Sequence, residues 1–196
     1  MSPGVGSSTR VLIAGALCLA ILGGMMVAHA WPLWTGTDVR MRATLAPSGD
    51  SFRGDHIRFD TPATWLTLAS GDVTAPGEVR PVGRWWTSAP EGRERARGAV
   101  IYVQLEPRPS GEVEPVTVSR DPVEGQLNLR GRIRHAEAWP QLRVDYGIDV
   151  FYVEEGTAER MAAAVRDGGQ LQVEIAIAAS GRARIRRLNL RSEGDR

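Results

Sequence analysis

The stretch VLIAGALCLAILGGMMVA, Val11 to Ala28, constrains this chain more than any other, because no charged residue interrupts it. A helix of about 20 residues, rising 1.5 Å per residue, crosses the ~30 Å hydrocarbon layer of a bilayer. Arg10 stands before the run, and Trp31 and Trp34 follow it, where amphipathic rings settle at headgroup level. The sequence therefore predicts a transmembrane anchor over residues 11–30, after a short tail (1–10) and before a juxtamembrane linker (31–37). Removal as a signal peptide is the competing reading, since Ala28-His29-Ala30 fits a small-x-small cleavage site. The run is longer than the ~7–15 residues of an ordinary signal core and has one basic residue ahead of it, which favours an anchor that stays. Arg10 places the N-terminus in the cytoplasm, and a long following domain translocates largely regardless of Arg40 and Arg42. The expected location is the plasma membrane, single-pass, with the domain outside the cytoplasm. Ala16, Ala20, Gly24 and Ala28 recur every four residues along the helix, a ladder that admits close packing of a second helix or simply reflects an Ala/Gly-rich run.

Composition removes whole classes of chemistry. All 24 basic residues are arginine, so no Schiff base, no Ser/Lys dyad and no phosphate-loop lysine is available. Cys18 is the single cysteine and lies inside the apolar run, which excludes a disulfide and a thiolate zinc site. Of the three histidines, His29 borders that run, leaving His56 and His135 far apart in sequence. No metal and no cofactor are expected. A formal charge of +1 exerts no overall pull on nucleic acid.

Beyond the anchor the pattern has a period of two. DVRMRATL puts Val39, Met41, Ala43 and Leu45 on one face, and HIRF continues with Ile57 and Phe59. TWLTL extends the sheet. Residues 70–98, rich in Gly, Pro and charge and containing Trp85 and Trp86, read as a long loop. AVIYVQLE, VEPVTVS and QLNLRGRIR resume the alternation. LRVDYGIDVFYV holds phase over one long strand, with Leu142, Val144, Tyr146, Ile148, Val150 and Tyr152 on a common face. EEGTAERMAAAVRDGG changes to helical period, with Thr157 as N-cap, Met161, Ala162 and Val165 on one face and Gly168 as stop. LQVEIAIA and RARIRRLNL form a closing hairpin through ASG, with a β-bulge where the inward set moves from Ala183 and Ile185 to Leu188 and Leu190. The expected fold class is mainly β (α+β): a mostly antiparallel domain over 38–191 with one short helix.

Taken together, these segments resemble the GDYXXLXY family, bacterial proteins of about this length with an N-terminal membrane segment and no assigned activity. The motif falls on Gly54 to Thr61: Gly54 and Asp55 match, His56 stands for the first Tyr, Phe59 for the Leu and Thr61 for the last Tyr. LAPSGDSFRGD, AVIYVQLEP, LNLRGRI, YGIDVFYVEEG and VEIAIAASGRARIRRL look like family blocks in the same order. Family members often accompany multi-pass membrane proteins, so the resemblance implies such a partner in addition to the bilayer.

Two groups of residues stand out as candidate sites. The first joins Arg53, Gly54, Asp55 and His56 to Tyr146, Gly147, Asp149, Glu155 and Gly156. Asp55, after a glycine and before a strand, suits a carboxylate that accepts backbone N–H groups in a turn. Paired with Glu155, and with His56 nearby, it would instead serve a membrane-anchored hydrolase as an acid/base couple. PSGDSFRGDHIRF also resembles the serine and Gly-Asp segments of type I signal peptidases, but lacks their Met-Pro and any lysine base. Gly147 within a strand suggests a bulge or a close backbone approach. The second group is two arginine rows, Arg130, Arg132, Arg134 and Arg182, Arg184, Arg186. If their strands adjoin, the guanidiniums form an anion contact for lipid headgroups or an acidic polymer; otherwise they form a solvated face paired with acids such as Glu174. The leading reading is a non-catalytic interaction partner or accessory subunit of an integral membrane protein.

Overall fold

A computed structural model of the chain describes residues 7–46, 55–69, 75–82, 96–136 and 140–191. Helix α1 covers Ser7–Thr35. Its Thr9–Trp31 portion is long and apolar enough to cross a membrane, and none of that apolar surface is buried against the rest of the chain. The helix continues past the expected anchor, so the 31–37 linker shrinks to Gly36 before the first strand begins at Thr37.

Eleven strands follow with one short helix among the described residues: β1 Thr37–Leu45, β2 His56–Asp60, β3 Trp65–Leu68, β4 Glu78–Pro81, β5 Val100–Pro107, β6 Val113–Ser119, β7 Asn128–His135, β8 Gln141–Asp145, β9 Val150–Tyr152, α2 Thr157–Arg166, β10 Gln170–Ile177 and β11 Ala183–Arg191. They form two units. A five-stranded antiparallel sheet runs β11-β10-β1-β2-β9, and β3-β4-β6-β5-β7-β8 close into a barrel. Closure comes from antiparallel pairing of β8 with β3, Leu142 opposite Leu66. The mainly β class with mostly antiparallel pairing is therefore observed. Among the described strands only β3–β4 and β4–β6 pair in parallel.

One hydrophobic cluster serves both units. Met41, Ile57, Phe59, Val173 and Ile175 come from the sheet, and Leu66, Ile101, Val103, Leu129, Ile133 and Leu142 from the barrel. All but a trace of their surface is withdrawn from water, and each such side chain contributes about 1.5–3 kcal/mol. Glu112, buried just before β6, helps tie the units together. Its carboxylate accepts from Arg42 Nε on β1 and Gln172 Nε2 on β10, both at 2.9 Å.

Three expectations need correction. The single strand over 142–152 is two: β8 belongs to the barrel and β9 to the sheet. Gly147 takes φ +70° and its N–H donates to Asp145 Oδ1 at 2.8 Å, so the chain turns there. A period-two count cannot see that reversal. Within the presumed 70–98 loop, residues 78–81 form β4. This strand is too short to display a period and is held by parallel neighbours distant in sequence. The N-cap of α2 is Gly156, at φ 76°, rather than Thr157. The hairpin and its bulge are observed, with the register of β10–β11 shifting between Glu174 and Ile175 so that Arg186 is the extra residue.

Tyr146 seals the seam between barrel and sheet. Its ring lies over Gly131 of β7, where an added Cβ would come within 2.6 Å of Tyr146 Cε1 and 2.4 Å of Val144 Cγ1. Its hydroxyl donates to the Ala63 carbonyl at 2.8 Å. The residue as a whole is half-buried, but the phenol oxygen is enclosed, and burial pushes its pKa well above the usual tyrosine value. Replacing Gly131 with Ala should displace the ring and cost about 1–3 kcal/mol by chemical denaturation. A raised phenol pKa means full stability below the ordinary tyrosine pKa of about 10 and loss as pH climbs through the folded value. In an alkaline absorbance titration, part of the tyrosinate signal should therefore appear only with unfolding, and Tyr146→Phe should abolish that late phase.

Candidate functional site

The first candidate group is divided by the fold. Arg53 and Gly54 lie outside the described residues. Asp55 begins the approach to β2, and its carboxylate accepts the Gly156 N–H at 2.6 Å while its carbonyl accepts the Val153 N–H at 3.0 Å. The expected backbone partner is thus present but comes from 101 positions away rather than from a local turn. Gly156 is the left-handed residue that opens α2, so Asp55 holds the start of that helix against the edge of the sheet. A helix N-terminus leaves donors unsatisfied and carries partial positive charge, and a carboxylate answers both.

The rest of the motif follows the same structural logic. His56 pairs with Tyr152 across β2–β9, their rings tilted at 46° with centroids 6.1 Å apart. Phe59 is a core residue. Thr61 is buried, donating its N–H to Thr64 Oγ1 at 2.9 Å and sharing a hydroxyl contact of 3.2 Å with it. Asp149 is half-buried, its carbonyl accepting the Phe59 N–H at 3.1 Å, and Glu155 is exposed. Among the described residues, three grooves are lined without Asp55, His56 or Glu155. Among the described residues, no three His, Cys, Asp or Glu side chains stand close enough to hold a metal.

The two arginine rows, by contrast, are brought together. The Arg130 N–H of β7 donates to the Gly181 carbonyl at 2.8 Å, in the turn between β10 and β11. Gly181 has φ +79°, and a Cβ there would come within 2.9 Å of Arg130 Cβ, so glycine alone permits this approach. Arg130, Arg132, Arg182 and Arg184 then line one groove of about 330 Å³, with Asp145 and Tyr146 among its other walls. Arg134 bridges Asp145 at 2.5 Å. Burial alone would raise the Asp145 carboxyl. The Gly147 N–H, the Arg134 bridge and the charge of Arg143 outweigh burial and hold it below the usual carboxylate range.

The β11 row also reaches α1. Arg184 Nη2 lies 2.7 Å from His29 Nδ1, with its Nε 3.4 Å from the His29 carbonyl. Arg186 bonds Asp38 and the Leu33 carbonyl. Leu33 lies in the last turn of α1, whose carbonyls have no partner within the helix, so Arg186 satisfies one of them and meets the negative end of the dipole. His29, Asp38 and Asp145 were not singled out in the sequence. For Asp145 a local signal existed, an aspartate two residues before glycine; for the other two, nothing in the sequence marks contacts made by strands folded back from residues 184–186.

Asp55→Ala would leave the Gly156 N–H without its acceptor, an expected loss of about 1–3 kcal/mol. Thermal melts and faster amide exchange across 153–160 should show it, whereas Glu155→Ala should leave both near wild type.

A family model described as GDYXXLXY protein matches residues 18–188. Comparison with curated proteins and with solved structures gave no match.

Proposed function

The chain belongs to the GDYXXLXY family, and on that premise we propose that it is a membrane-anchored, non-catalytic accessory module working beside a multi-pass membrane protein. One observation carries this reading. The apolar surface of α1 over Thr9–Trp31 is entirely unburied by its own chain, while the end of the same helix is gripped by the folded domain. Such a surface is stable in hydrocarbon or against other membrane helices, not in water. The domain sits outside the cytoplasm, at the lipid surface, in a fixed attitude to its anchor. Asp55 supports the non-catalytic part of the reading, because its carboxylate is committed to the backbone of α2.

The Ala16, Ala20, Gly24 and Ala28 face gives the partner helix its place, since small side chains let helix axes approach closely. Extraction of native membranes in mild detergent should recover the chain in fixed ratio with one multi-pass protein, and Gly24→Leu should break that association while the chain stays in the membrane. Recovery of wild type alone, at full yield, would overturn the partner. The anchor has its own check: the chain should resist high-salt and carbonate washing with residues 11–30 attached. A soluble product beginning near Trp31 would overturn it.

A further inference from the structure

We propose that the groove between β7, β8 and β11 binds the phosphate of an anionic phospholipid headgroup from the bilayer that holds α1. Four arginines, Arg130, Arg132, Arg182 and Arg184, line it together with one acid, Asp145. That carboxylate is already bridged by Arg134, so the groove keeps a surplus of positive charge. Its donors are also poorly occupied. Arg130 Nε is buried and has no hydrogen-bond partner among the described residues. Among the described residues Arg132 makes only a long 3.4 Å contact, with the Gly98 carbonyl, and Arg182 is exposed. A buried N–H without an acceptor is unfavourable, and a planar guanidinium fork matches phosphate oxygens two at a time.

Position selects lipid as the source of the phosphate. Arg184 lines the groove and also contacts His29 at the end of α1, and Arg186, two residues on, contacts Leu33. Trp31 and Trp34, both exposed, lie on the same stretch of helix. Tryptophans at the end of a spanning helix mark the headgroup layer, so the groove opens at the level where lipid phosphates lie. Basic side chains held there gain from the negative surface of anionic lipid. This inference uses the anchor of the proposed function but not its protein partner, and a purified chain suffices to test it.

The full chain in a neutral, mild detergent would be titrated with dihexanoyl phosphatidylglycerol, with dihexanoyl phosphatidylcholine and with inorganic phosphate, and binding read by thermophoresis. Phosphatidylglycerol should bind about tenfold or more tightly than either of the others, and 0.5 M salt should weaken it. Arg132→Gln with Arg182→Gln removes two exposed cations from the groove and should weaken phosphatidylglycerol roughly tenfold to thirtyfold, with an unchanged melting temperature. Equal binding of the two lipids overturns the proposal without reference to any variant. So does a double variant that binds phosphatidylglycerol as wild type does. Inorganic phosphate binding as tightly as phosphatidylglycerol overturns the lipid assignment. Loss of the multi-pass partner in native membranes would leave every arm of this titration unaffected.

Discussion

Arg184 and Arg186 hold the carbonyl end of an apolar helix, and the placement of the domain follows from that grip. The last turn of α1 presents carbonyls with no intrahelical partner and the negative end of a dipole. Arg186 of β11 meets one of them at Leu33 and is itself bonded by Asp38, at the start of β1, while Arg184 contacts His29 further back on the helix. Because β11 pairs with β10 and β10 with β1, the strand leaving the helix is two ladders from the strand that grips it. Helix and sheet thus close a loop on themselves, with Gly36 alone between α1 and β1.

The same strand organises the basic groove. Gly181 precedes β11 and carries the Arg130 contact, so the grip on α1 and the convergence of the arginine rows have a common origin in the β10–β11 hairpin. Around it, charge is distributed unevenly. Arg186, Arg134 and Arg42 each have an acid, while Arg130, Arg132 and Arg182 lack one among the described residues. A set of solvated, paired arginines would have been a surface feature; here Arg130, Arg132 and Arg182 line one groove.

The family motif, whose described residues 55–61 span β2, works differently. Asp55, Phe59 and Thr61 act through a helix cap, a core side chain and a buried turn. Asp55 joins two segments 101 positions apart, which gives it a weight in folding that its place beside a turn would not suggest. Losing either partner of such a bond leaves a polar group stranded.

Alternation in Val39, Met41, Ala43 and in Ile101, Val103, Leu105 determined which faces of β1 and β5 go inward, because successive side chains of a strand point to opposite sides; the unbroken run from Val11 to Ala28 likewise determined an apolar helix. Those properties are local and are written in neighbouring residues. What only the tertiary structure decided is nonlocal: the division of the chain into barrel and sheet, β4's parallel pairing, the reversal at Gly147, and the reach of Asp55 to Gly156. It also decided that the arginine rows adjoin. Whether two strands meet depends on a glycine's positive φ and on hydrogen bonds between segments far apart in the chain, and periodicity along one strand carries no information about its neighbours.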